Sequence, residues 1–247
     1  MNSETDINVL VAVIAYNEED SLQKVIDELQ HINAEKKFKF KVVIFDDCSI
    51  DNTCKIGIRN NIEVVRHPLQ SGNGMFMIST YLRFADDHNF DIAVQFDGDN
   101  QHLSTYIPIL CENLASKKAN IIIGSRYLSK KKFKKIKNSL SKFDRLIGNF
   151  IITFTLNKIL KLNITDSTSG MRAYDKKAIL SLKDSSIDAF DNLTFYNLLK
   201  EKDLKLSEIQ VEMRERLSGS SEFTFLKKLI YIPSLIFSII FTLINRR

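Results

Sequence analysis

The chain has 247 residues, is 44% hydrophobic and 26% charged, and carries a net charge of +5. That balance excludes a globally disordered polymer and suits one large α/β domain, with or without an appendage. Cys48, Cys54 and Cys111 follow no zinc-ligand spacing, and their odd number suits reduced structural thiols better than a disulfide framework.

The first residues, Met1 to Asp6, are polar and acidic, unlike a secretory signal. Ile7 to Ala15 is a continuous apolar run, as expected of a parallel strand buried on both faces. Leu22, Val25, Ile26 and Leu29 then follow helical spacing, with Ser21 or Asp20 as the expected cap. A second strand is predicted over Phe40 to Phe45, ending at Asp46-Asp47. Asp51 to Ile58 reads as a short helix and Ile62 to Val65 as a third strand. Gly74 to Asp87 reads as helix, Asp91 to Phe96 as a fourth strand, Ser104 to Lys117 as helix and Ala119 to Ile123 as a fifth strand. Strands alternating with helices predict a doubly wound, mostly parallel sheet. Ligands of such sheets bind beyond the carboxyl ends of the strands, so Asn17-Glu18, Asp46-Asp47 and Asp97 to Asp99 are expected in one cleft.

Within that cleft Asp97-Gly98-Asp99 carries the chemistry. Two carboxylates one residue apart at a strand end can converge on one hard cation. Mg²⁺ and Mn²⁺ prefer such oxygen ligands and share them with substrate phosphates. Taken alone, the same triplet also reads as a solvated turn. Further along, residues 130–137 hold six lysines. They read either as a solvated face or as an attraction to an anionic membrane surface or substrate; no nucleic-acid motif accompanies them, so no nucleic-acid partner is expected. Leu229 to Ile244 is a run of sixteen uncharged residues containing Pro233, with Lys227-Lys228 before it and Arg246-Arg247 after it. A spanning helix needs about 20 apolar residues. An interfacial or partly inserted helix is the first reading; a tilted span, a helix paired with a membrane protein and a buried core helix are the others.

Several motifs, in order, resemble one family. Val13-Ile14-Ala15-Tyr16-Asn17-Glu18-Glu19 is similar to the opening strand and turn of family 2 inverting glycosyltransferases. Asp46-Asp47-Cys48-Ser49-Ile50-Asp51-Asn52-Thr53 resembles their acidic pair followed by Ser-x-Asp-x-Thr. Asp97-Gly98-Asp99-Asn100-Gln101-His102 resembles the metal motif of the polyprenyl-phosphate branch, typified by dolichol-phosphate mannosyltransferase. Gly124-Ser125-Arg126-Tyr127 and Asp166 to Tyr174 resemble that branch as well. The likeness spans about residues 8–222.

The resemblance implies a GT-A fold, a UDP- or GDP-sugar donor and Mg²⁺ or Mn²⁺. Ala15, Tyr16 and Glu18 would line the donor site, with Glu18 on the ribose and Asp46 or Asp47 on the base. Asp97 and Asp99 would face the diphosphate and the metal, with Gln101 beside them, and small Gly98 would let the backbone approach the donor. Gly74 belongs to a turn where the family often carries a lysine; here the middle residue is Asn73. Arg126, Arg145 and Arg216 are candidates for an acceptor phosphate, and Arg126 also for the leaving diphosphate. Arg216 to Ser221 resembles an Arg-x-x-Gly-x-Ser acceptor loop, although Glu222 stands where a lysine usually follows. The implied division is a catalytic domain over 1–222 and a membrane-associated or partner-binding tail over 223–247. The implied reaction is inverting transfer to a polyprenyl phosphate at the cytoplasmic face of a membrane, with a small membrane protein or a second copy as a partner through the tail. Two other readings stand beside it. A glycan hydroxyl acceptor would need a base, for which Asp188 and Asp191 are placed. A noncatalytic nucleotide-sugar-binding subunit would bind donor without transfer.

Overall fold

A computed structural model describes residues 6–32, 37–70, 77–129, 140–184 and 192–215, with only the backbone described for 140–148 and 192–194. The first strand, β1 (Ile7–Ala15), is buried from Val9 to Val13. Leu10 and Ala12 enter one core and Val9, Val11 and Val13 the other, so both faces of the sheet are covered. This two-sided burial is why the run lacks polar alternation. Next comes α1 (Leu22–Leu29), which buries its four predicted residues against the second core. Each such side chain contributes roughly 1.5–3 kcal/mol by leaving water.

Strand β2 (Phe38–Asp46) begins two residues before the predicted start. Its first half alternates, with Lys39 and Lys41 pairing with Asp6 and Glu63 at the surface. Then come α2 (Thr53–Arg59), β3 (Glu63–Arg66), α3 (Met77–Asp87), β4 (Ile92–Asp97), α4 (Tyr106–Ala115) and β5 (Ile121–Ser125). Each lies within three residues of its predicted bounds. The chain continues through α5 (Leu140–Leu160), β6 (Arg172–Asp175), α6 (Lys176–Leu182), α7 (Asn192–Glu201) and β7 (Leu206–Gln210).

Among the described residues the sheet has seven strands in the order β3-β2-β1-β4-β6-β5-β7. All neighbours are parallel except β6, which runs antiparallel between β4 and β5. Helices α3, α5, α6 and α7 cover one face, and α1 and α4 cover the other. Register sets the site: Ala15 pairs with Asp46, and Ile14 with Asp97. The carboxyl ends of β1, β2 and β4 therefore open on one edge. Because β6 runs the opposite way, the Ser167–Met171 segment that leads into it reaches the same edge.

Ser21 holds the cap position, but its side chain bonds no helix N–H; its hydroxyl is used in the site below. Among the described residues no helix is long and apolar enough to cross a membrane. The apolar helix expected in 223–247, and Gly74, Asp188, Asp191, Arg216 and Ser221, lie outside the described residues.

Candidate functional site

Three strands end in turns that hold a non-glycine residue at positive φ: Asn17 (51°) after β1, Cys48 (65°) after β2 and Asn100 (60°) after β4. Asparagine tolerates this conformation and cysteine does so less readily, so these turns carry local strain of the sort found at ligand sites. The first two are laced together. Asn17 N–H donates to Ser49 Oγ at 2.9 Å, Glu18 N–H to Thr53 Oγ1 at 2.8 Å, and Ile50 N–H to Asn17 Oδ1 at 2.9 Å. Asp51 accepts from Thr53 N–H at 2.9 Å and Glu19 N–H at 3.1 Å. Ser-x-Asp-x-Thr is thus the seam that holds the β1 turn to the β2 turn.

Asp46 sits fully buried at the end of β2. Its Oδ2 accepts from Ser49 N–H at 3.1 Å and lies 3.4 Å from Arg66 Nε. Its Oδ1 is buried with no hydrogen-bond partner. A buried carboxylate oxygen without a donor is costly. Burial first, then Asp46, pushes the neighbouring Cys54 thiol up to about 11, so it stays protonated near neutral pH. Asp47 is buried beside it and gives its N–H to Ala15 O at 2.9 Å. Tyr16 and Glu18 are half-buried at the mouth. The Ser21 hydroxyl lies 2.7 Å from Glu18 Oε2 and 2.8 Å from Gly98 O, tying the β1 turn to the β4 turn.

Asp97 and Asp99 are half-buried at the end of β4. A Cβ at Gly98 would lie 3.1 Å from Ile14 O, a close approach that glycine accommodates without displacing the strand end. His102, only 1% exposed, places Nε2 at 3.0 Å from Asp97 Oδ2. Its Nδ1 is buried without a partner. A bare Nδ1 is less costly there than an unpaired N–H, which favours the tautomer that donates from Nε2. Burial opposes the charge on Asp97. The hydrogen bond from His102, with help from Gln95 and Arg172, outweighs it and holds the carboxyl below its usual range. Asp99 Oδ1 accepts Gln101 N–H at 3.0 Å.

The loop before β6 closes on this pair. A Cβ on Gly170 would lie 2.1 Å from Asp97 Oδ2, so only glycine allows this approach. Buried Arg172 donates to Ser169 O at 2.8 Å and Ser167 O at 3.2 Å, and lies 4.8 Å over the Phe195 ring. Arg126 is turned into the same loop. It makes a two-point bond to buried Asp166, Nε–Oδ2 2.6 Å and Nη2–Oδ1 2.7 Å, and Nη2 also meets Thr168 Oγ1 at 2.7 Å. Burial opposes its charge, but the hydrogen bonds and charge of Asp166 outweigh that and keep Arg126 firmly protonated. Arg145 lies on α5, where only its backbone is described.

The carboxylates suit a hard cation. Among the described residues no group of three His, Cys, Asp or Glu side chains is gathered to hold a metal. Two carboxylates with the remaining positions left to water and substrate oxygens is the general way Mg²⁺ is held beside phosphates. His102, Ser21, Gly170, Asp166 and Arg172 are site residues to which sequence reasoning assigned no role in the site. His102 ends the metal motif, Asp166, Gly170 and Arg172 lie in the Asp166 to Tyr174 motif, and Ser21 reads as a helix cap.

Residues 10–182 match the model of glycosyl transferase family 2. The chain belongs to that family. Its relatives include the UDP-N-acetylglucosamine–dolichyl-phosphate N-acetylglucosaminyltransferase of Methanococcus voltae, 31% identical over 193 residues that cover 71% of this chain and 72% of the relative. Another relative is the undecaprenyl-phosphate mannosyltransferase of Micrococcus luteus, 25% identical over 228 residues and 88% of each chain. Among solved structures, glucosyl-3-phosphoglycerate synthase of Mycobacterium tuberculosis, in complex with Mn²⁺, UDP and glucosyl-3-phosphoglycerate, superimposes with a TM-score of 0.66 at 15% identity, over 96% of this chain and 79% of that one. At that identity the likeness establishes the shared fold.

Proposed function

We propose that this family 2 glycosyltransferase moves a sugar from a nucleotide-diphospho-sugar to a polyprenyl phosphate at the cytoplasmic face of a membrane. The observation that carries the reading is the pair of relatives named for dolichyl-phosphate and undecaprenyl-phosphate acceptors, aligned over 71% and 88% of the chain. In this reading Asp46 or Asp47 would take the base, Glu18 the ribose, and Asp97 and Asp99 the diphosphate. Residues 1–222 form the catalytic domain, with Arg126, Arg145, Arg216 and Ser221 toward the acceptor phosphate; residues 223–247 hold it at the membrane.

In this reading an oxygen of the acceptor phosphate attacks the anomeric carbon from the face opposite the leaving group. The new C–O bond forms as the bond to the diphosphate breaks, and the configuration inverts. The attacking phosphate is already an anion, so no carboxylate base is required. A divalent cation, Mg²⁺ or Mn²⁺, held by Asp97 and Asp99 would neutralise charge on the departing nucleoside diphosphate. His102 and Gly170 fix the Asp97 carboxylate in place, and Asp166 fixes Arg126. Catalysis then comes from positioning and preorganised charge.

Variants test the assignment. Asp99→Ala, Asp97→Ala and Arg126→Ala should each abolish turnover, while Asp188→Asn and Asp191→Asn retain it. Loss in Asp188→Asn or Asp191→Asn with a folded protein would point to a hydroxyl acceptor instead.

A further inference from the structure

The chain leaving β7 runs across the carboxyl edge of the sheet and fastens the turn after β4 from outside. Val211 N–H donates to Ser125 O at 2.9 Å, continuing the pairing with β5, and Gln210 Nε2 donates to Arg126 O at 3.3 Å. Met213 then forms an antiparallel bridge with His102. Arg214 gives its N–H to Gln101 O at 2.8 Å, and its Nη1 donates to Asn100 Oδ1 at 3.1 Å. The same Nη1 pairs with Glu28 Oε1 near the end of α1. One side chain therefore joins the exit of β7, the β4 turn and α1. An exposed ion pair by itself stabilises a fold by about 1 kcal/mol or less. The acceptor at the other end sets this one apart. Asn100 is only 5% exposed and stands at φ 60° directly after Asp99. A non-glycine residue keeps that conformation where its surroundings fix it. Here Gln101 N–H closes the turn on Asp99 Oδ1 at 3.0 Å from within, and Arg214 holds Asn100 and Gln101 from without.

We propose that Arg214 is a positioning residue for Asp99: its guanidinium, aimed by Glu28, holds Asn100 in the turn that sets the Asp99 carboxylate. The inference rests on the reading of Asp97 and Asp99 as the pair that takes a divalent cation. Asp97 has its own support in His102 at 3.0 Å. Asp99 is steadied through the backbone of its turn, and Arg214 is the side chain that grips that turn from a distant part of the chain. Outer supports of this kind change metal affinity by roughly 10–100-fold when removed, although they touch no metal. The role belongs to the side chain, because the Arg214 N–H bond to Gln101 O is made by any residue at this position other than proline.

Mn²⁺ binding by the full chain with UDP or GDP, read as loss of the free-ion paramagnetic resonance signal, tests this without turnover. Thermal melts run beside it. Arg214→Ala should stay folded and raise the Mn²⁺ Kd by about tenfold or more. Arg214→Lys keeps a charged donor and should recover part of the affinity. Glu28→Gln should weaken Mn²⁺ binding in the same direction. Adding it to Arg214→Ala should cause no further loss, because Glu28 acts through Arg214. A merely structural surface pair would lower the melting temperature and leave the Mn²⁺ Kd alone. A folded Arg214→Ala chain with wild-type Mn²⁺ affinity therefore overturns the proposal. If Arg214→Ala does not fold, Glu28→Gln carries the same test, and unchanged Mn²⁺ affinity there overturns it equally. A wild-type chain that takes up no Mn²⁺ with either nucleotide overturns the carboxylate reading itself and this proposal with it. Failure of the positioning role alone thus differs from failure of the site.

Discussion

A methyl group on Gly170 would stand 2.1 Å from Asp97 Oδ2 and 2.7 Å from its Cγ. Ordinary contact is about 3.5 Å, so more than 1 Å must be found. The loop is poorly placed to give way. Arg172 bonds two of its carbonyls, and the Ser169 hydroxyl donates to Gly124 O at 2.6 Å. The Asp97 carboxylate can move more readily, but doing so breaks the 3.0 Å bond to His102. Misplacing a reacting group by about 1 Å can cost a hundredfold in rate, whereas overpacking costs about 1–3 kcal/mol in stability. Gly170→Ala should therefore remain folded, melt somewhat lower, and lose about two orders of magnitude in kcat, with a raised requirement for Mg²⁺ or Mn²⁺. Metal titrations of sugar transfer, paired with thermal melts, measure both effects. A folded Gly170→Ala protein with unchanged kcat and unchanged metal requirement would refute the placement of Asp97 at the reacting end of the cleft.

Other residues give independent outcomes. Asp166→Asn leaves the Arg126 charge without its partner and should lose about 3–5 kcal/mol in urea unfolding; a loss below about 1 kcal/mol would deny that the pair is integral. Ser21→Ala removes the hydroxyl between Glu18 and Gly98 and should raise the donor KM about fivefold, from roughly 1 kcal/mol, with kcat little changed. Burial raises the Glu208 carboxyl above its usual range, against the donors from Thr165 and Asp166. Its contribution to stability is therefore full below about pH 4.3 and is lost as pH rises through the raised value. Urea midpoints of wild type and Glu208→Gln should show the wild-type advantage shrinking between pH 4 and 7; an advantage that grows over that range would reverse the assigned shift.

The first five strands were legible because each is an apolar run, and two-sided burial leaves few other readings of Ile7 to Ala15. The antiparallel insertion of β6 was not legible. It has four residues, begins with a buried arginine, and draws its order from its neighbours β4 and β5. The carboxylates of the site were legible as motifs at strand ends. Their supports were not, since they join positions far apart in sequence: Ser21 with Gly98, Arg126 with Asp166, and Gly170 with Asp97. Ser21 reads as a helix cap, and only its contact with Glu18 and Gly98 reveals another use. Arg126 reads as a free phosphate ligand, whereas its guanidinium is already engaged by Asp166.

The most direct measurement of the central claim is transfer from radiolabelled UDP- and GDP-sugars to undecaprenyl or dolichyl phosphate in detergent, with Mg²⁺ or Mn²⁺ and with EDTA. The account predicts a labelled, mild-acid-labile lipid product that EDTA abolishes. Donor binding with no lipid product from any sugar would contradict it.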